Sequence, residues 1–177
     1  MTNLKVPLPP PKCIGVLCYA LEPLTQNIYF LLGQEAFDNT WCDFAGGPKP
    51  NESIIDTAVR EFSEESMNAV MEPEKIREDL EARRYSLMLH YDQRIVFLKQ
   101  IPFDPTLPMR FAERRLEYLE EGAKPELVEK RSIEWFSLNR IEKMVRHDKN
   151  GVNNVGKLRR HFVITMQLLL DIMWTHR

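Results

Sequence analysis

The chain has 177 residues, 44% of them hydrophobic and 28% charged, with a formal net charge of −2. That length suits one domain with a sizeable core. The near balance of charge excludes a global field that would draw the protein onto nucleic acid or an anionic membrane, although a local basic patch stays open.

Pro7, Pro9, Pro10 and Pro11 predict a stiff, extended arm over residues 1–12. Cys13–Leu21 and Asn27–Gly33 are aliphatic and aromatic runs around a Glu22-Pro23-Leu24-Thr25 turn, and they predict a hairpin. Gln34 to Asp43 reads as a loop carrying Trp41. Ile55, Ala58, Val59 and Phe62 fall at helical spacing, and Ser53 with Asp56 three residues on resembles a capping box.

Pro73 to Arg84 predicts a second helix, with acids early and Arg83–Arg84 late, as the helix dipole favours. Tyr85–Tyr91 and Arg94–Phe103 predict two strands around Asp92-Gln93. Pro102, Pro105 and Pro108 break the pattern, and a helix is expected from Phe111 to Glu121, ended by Gly122. Arg131 to Phe136 reads as a strand, and Ser137 to Lys149 as a capped helix followed by Gly151. Gly156 opens a last helix over residues 156–177. Its apolar core, Phe162 to Trp174, is too short for a bilayer and is broken by Gln167 and Asp171, so a buried helix is expected, able to pack in a homodimer. Strands flanked by helices predict a single domain, an α/β or α+β sandwich with a mixed sheet.

Cys13, Cys18 and Cys42 form no CxxC pair, which suits a reducing compartment. No basic segment followed by an apolar run opens the chain, so a cytoplasmic protein is expected. His90, His147, His161 and His176 form no ligand spacing, and no phosphate-loop, dinucleotide or HExxH motif is present.

The chemistry is concentrated between Gly46 and Glu65. At about 100° per residue, Glu64 and Glu65 lie about 60° and 40° to either side of Glu61, so three carboxylates share one helical edge beside the apolar face. Like charges so placed repel. Arg60 supplies one counter-charge, and a hard divalent cation such as Mg²⁺, which keeps its waters and takes phosphate oxygens, suits the remainder. The Gly46-Gly47 pair permits close backbone approach, so that a main-chain carbonyl and a diphosphate can reach the same place.

Gly46, Glu52, Arg60, Glu61, Phe62, Glu64 and Glu65 stand at the spacing of the Nudix box, and the chain resembles that family. Met67 and Asn68 depart from it, standing where the family has Gly and an aliphatic residue. The resemblance implies an α/β/α sandwich with a loop–helix–loop motif over residues 46–68, in a Mg²⁺- or Mn²⁺-dependent pyrophosphohydrolase. It implies Glu61, Glu64 and Glu65, with a carbonyl at Ala45 or Gly46, as metal ligands. Glu64 is also implied in catalysis, Arg60 in orienting a glutamate and Glu52 in bracing the loop.

Outside the box, Glu129, with Glu134 second, is the candidate for a further catalytic acid. Trp41, Lys49 and Arg84 are candidate substrate contacts, with a structural role for Trp41 the alternative. Arg83–Arg84, Arg114–Arg115 and the run Lys157 to His161 are basic groups. If two of them converge beside the acidic edge, they would hold distal phosphates or RNA backbone. The expected substrate is a small nucleotide: a dinucleoside polyphosphate, a nucleotide sugar or a nucleoside triphosphate. Capped RNA or an inositol polyphosphate is the second reading, on a weaker likeness to viral decapping members, and a non-catalytic nucleotide-binding module is the third.

Overall fold

The computed structural model describes residues 9–123, 128–149 and 157–175. The first eight residues of the expected proline arm, Gly151, Gly156 and His176 lie outside them. Seven strands and five helices follow one another as β1 (Cys13–Leu21), β2 (Ile28–Glu35), β3 (Trp41–Cys42), β4 (Phe44–Gly46), α1 (Ile54–Ser66), α2 (Pro73–Glu81), β5 (Leu87–Tyr91), β6 (Arg94–Gln100), α3 (Leu107–Glu120), β7 (Lys130–Ser137), α4 (Leu138–Lys149) and α5 (Arg160–Thr175).

One mixed sheet carries all seven strands. β1 and β6 run parallel, and the other pairings are antiparallel. Alternation along β1 sends Ile14, Val16 and Cys18 to one face and Leu17 and Tyr19 to the other. The first face is covered by α1, α2 and α3 through Ala58, Val59, Phe62, Ile76, Leu80, Leu107 and Phe111. The second is covered by α4 and α5 through Ile141, Val145, Phe162, Val163 and Met166. The result is the expected α/β/α sandwich.

The site lies where the sheet divides. β1 pairs with β2 only through Cys18–Leu21, and its first half, Ile14–Val16, pairs with β4 instead. The chain leaving β4 therefore enters α1 at the split. Ser53 caps α1 as expected: its hydroxyl accepts the Asp56 N–H, and the Asp56 carboxylate accepts the Ser53 N–H. Arg77 of α2 reaches the same Asp56 at 2.7 Å and ties the two helices together.

Three expectations shift. Trp41 is not in a loop but on β3, because Gln34 and Gly33 pair with Trp41 and Cys42. Pro108 does not break α3 but sits in its first turn, where a missing N–H costs nothing. α2 ends at Glu81, and Arg83 lies past it with φ 55°.

Met67 stands at the box's glycine position with φ 52° and ψ 35°, the left-handed geometry that favours glycine. Its side chain is buried in the α1–α2 core, which offsets the conformational cost. No helix among the described residues is long and apolar enough to cross a membrane. The three cysteines are free, and burial pushes the Cys18 thiol up to about 12.

Candidate active site

Gly46 ends β4 paired with Ile14, and it faces Glu61. A Cβ at Gly46 would lie 2.3 Å from Glu61 Cδ, so only glycine lets this carboxylate rest against the strand end. Glycine is needed here for close approach, not for an unusual φ.

Arg60 binds the loop and the helix together. Its Nε and Nη2 fork onto Glu52 at 2.6 and 2.9 Å, and Nη2 also donates to the Gly47 carbonyl at 2.8 Å. Its Nη1 donates to Glu61 Oε1 at 2.5 Å and to Glu64 Oε2 at 3.1 Å. Glu52 further accepts the Lys49 N–H and the Thr57 hydroxyl. These hydrogen bonds, Arg60 foremost, hold the Glu52 carboxyl down to about 2. Burial raises the Glu61 carboxyl although Arg60 opposes it. Glu64 is more than half exposed, and Lys49 Nζ comes within 3.6 Å of it.

Glu65 turns inward. Its Oε2 accepts the Ala45 N–H at 2.7 Å, and its Oε1 lies 3.0 Å from Lys130 Nζ. Lys130 is wholly buried and also meets Glu35 Oε1 at 2.7 Å, and Arg159 meets the same oxygen at 2.5 Å. A Cβ at Gly33 would come within 2.9 Å of Lys130 Cδ, so β2 leaves room for the lysine stem. Burial raises the Glu65 carboxyl, and Lys130 pulls it back toward the charged form. Burial likewise opposes the Lys130 ammonium, but Glu65 and Glu35 outweigh it and keep its pKa above the usual lysine value.

The acidic edge is thus real but divided: Glu61 and Glu64 share one guanidinium, and Glu65 is taken up by Lys130. Without a metal, Glu65 is therefore engaged by Lys130 and the Ala45 N–H, apart from the pair Glu61 and Glu64. A lone lysine at the start of a strand-like run carries no signal of such burial. Among the described residues, no three His, Cys, Asp or Glu side chains gather closely enough to hold an ion unaided. Two carboxylates beside a Cβ-free strand end still fit Mg²⁺, which takes one or two protein carboxylates and keeps its other positions for water and phosphate.

The remaining candidates divide as well. Glu129 is exposed just before β7, and its charge is felt by Glu61 and Glu65. Glu134 is used by Arg140 at 2.5 Å. Trp41 is buried edge-on against Phe136, with ring centroids 4.8 Å apart, so its indole packs the core and offers no base platform. Arg84 is not brought to the acidic edge. It pairs with Asp79 and Glu78 of α2, where Asp79 also holds Lys75 and Lys99. Phe111 is core, and Tyr118 lies under Arg114. Asp43, which the sequence did not single out, is buried against Arg94 at 2.5 Å.

A family profile described as NUDIX domain matches residues 11–155. With this fold and this acidic helix, the chain belongs to the Nudix family and is a nucleotide pyrophosphohydrolase. No curated protein sequence matches it. Among solved structures it is similar to the NUDIX domain of NrtR from Shewanella oneidensis complexed with ADP ribose, at 12% identity and TM-score 0.51, over 97% of this chain and 94% of that one. It is similar to the Ap4A hydrolase of C. elegans at 15% identity and TM-score 0.48, over 96% and 100%. It also matches a MutT/nudix family protein from Enterococcus faecalis at 18% identity and TM-score 0.43, over 77% of this chain and 47% of that one, about half its length. Identities this low express a common fold.

Proposed function

We propose that the chain splits a pyrophosphate bond in a small nucleoside diphosphate-linked substrate, using Mg²⁺ or Mn²⁺. The observation that carries this reading is the grip of Arg60 Nη1 on both Glu61 and Glu64, beside a glycine that leaves Glu61 room at the strand end. A bound divalent cation neutralises charge developing on the phosphates and makes a water more acidic. Glu61 and Glu64 hold it, with a carbonyl of Ala45 or Gly46 as a further oxygen. Arg60 keeps the two carboxylates together, and Glu52 keeps the loop against the helix.

Glu65 anchors β4 to α1 through the Ala45 N–H, with its charge balanced by Lys130. Lys49, beside Glu64, meets an outer phosphate oxygen. Glu129 is exposed, and its charge reaches the site, so it takes the proton from the attacking water. A small nucleotide is favoured over RNA by the net charge of −2 and by Arg114 being paired with Glu117. The ADP ribose held by the NrtR domain is a ligand of that class.

The test is turnover on a panel of a dinucleoside polyphosphate, a nucleotide sugar, a nucleoside triphosphate and capped RNA, with product masses locating the broken bond. Cleavage of a phosphate–phosphate bond in one of the first three is expected. Turnover of capped RNA alone, or of none, overturns the reading.

A further inference from the structure

A cavity of about 740 Å³ opens beside Glu129, and the proposed function assigns no role to its other lining residues. It is lined by Glu35, Phe37, Arg115, Glu129, Arg131 and Arg159. Two of these tie it to the site. Glu129 lines it and its charge is felt by Glu61 and Glu65, and Glu35 shares Lys130 with Glu65. Arg115 on α3 and Arg159 before α5 belong to two separate basic groups of the sequence, and the fold brings them to one place.

Phe37 is 72% exposed and belongs to neither core cluster. An aromatic ring kept in solvent adds nothing to packing. Beside a cavity it offers a π face, and the Arg159 guanidinium already lies 5.5 Å from its centroid. Arg159 is neutralised by Glu35, but the other two arginines keep their charge. Arg131 donates to Asn39, a neutral group. The Arg115 Nε is buried with no hydrogen-bond partner among the described residues. Guanidinium forks match phosphate oxygens in geometry and charge. The volume suits one nucleotide.

We propose that this cavity is the recognition pocket for the nucleoside end of the substrate: the base stacks on Phe37 and the phosphates meet Arg115 and Arg131. The next phosphate then extends past Glu129 to Glu61 and Glu64. Phe37 is thereby a specificity-determining residue, and the pocket separates nucleotides from bare polyphosphates. The proposal deepens the pyrophosphohydrolase reading and rests on it for the direction in which the phosphates run.

The experiment is equilibrium binding of ADP and of inorganic pyrophosphate in EDTA, so that no turnover is required. Phe37→Ala weakens ADP by about tenfold or more, as loss of one base–aromatic stack does, and leaves pyrophosphate unchanged. Arg115→Gln weakens both. Arg114→Gln is the control and weakens neither, because that guanidinium is held by Glu117. Phe37 is exposed, so its variant melts with the wild type. The pocket assignment is overturned if ADP binds Phe37→Ala as tightly as wild type, or if wild type fails to bind ADP at millimolar concentration. An active enzyme indifferent to Phe37 upholds the hydrolase reading and sinks the pocket; Phe37-dependent ADP binding by a chain idle on the whole panel does the reverse.

Discussion

Lys130 Nζ lies 3.0 Å from Glu65 Oε1 inside the sheet, and this contact turns one acid of the helical edge away from solvent. Glu65 is a strut between β4 and α1, and Lys130 is the counter-charge that permits a carboxylate there. Glu35, itself buried, shares the same ammonium. Removing the lysine leaves the buried Glu65 without its counter-charge, while Glu35 keeps Arg159.

Lys130→Met, which roughly preserves the stem's volume, is therefore expected to lower unfolding stability by about 3–5 kcal/mol, the usual cost of orphaning a buried ion. Urea unfolding measures it. A loss under about 1 kcal/mol would show that Lys130 balances nothing.

Glu64 and Glu65 are adjacent in sequence and opposite in consequence. Glu64→Gln changes an exposed side chain and should leave stability within about 1 kcal/mol while cutting turnover by orders of magnitude. Glu65→Gln removes the charge that faces Lys130 and should cost measurably more stability. Paired unfolding and kinetic measurements separate the two, and equal stability losses contradict the division of the edge.

Gly46→Ala places a methyl group where the Glu61 carboxylate now lies. Glu61 must move by the order of an ångström, which at a reacting centre costs roughly 100-fold in rate. The measurement is kcat beside the melting temperature: kcat should fall far more than the melting temperature shifts. An unaffected kcat removes Glu61 from the site.

His161 gives a pH dependence. Burial first, then the nearby Arg94, lowers its pKa from 6.5 to about 4. The unfolded chain therefore takes up a proton near pH 6.5, and the folded chain only near pH 4. Between these values the unfolded state binds more protons, so stability falls as pH drops through that window. His161→Gln should flatten the melting-temperature profile between them, and an unchanged slope refutes the assignment.

Much of this was legible because local rules agree. Ser53 and Asp56 announced the start of α1, and Ile55, Ala58, Val59 and Phe62 its buried face. Glu61 and Glu64 share Arg60 on one helical edge as their spacing implied, and Glu52 pairs with Arg60, in line with the bracing that the family resemblance implied. Long-range pairing was not legible. Lys130 reaches Glu35 across 95 positions of sequence, and Arg94 reaches Asp43 across 51. A two-residue strand such as β3 has no period to detect, so Trp41 read as a loop residue at the mouth of the site when pairing with β2 had drawn it into the core. Pro108 read as a breaker because the start of α3 carries no side-chain cap to mark it.

The central claim is that the acids gathered by Arg60 work through a divalent cation. Its most direct test is turnover of the best panel substrate by wild type and Glu64→Gln after exhaustive EDTA dialysis, followed by stepwise return of Mg²⁺. Wild type should be silent in EDTA and recover fully, while Glu64→Gln should need more Mg²⁺ and stay orders of magnitude slower at saturation. Undiminished turnover in EDTA, or a Glu64→Gln curve that overlays wild type, would contradict it.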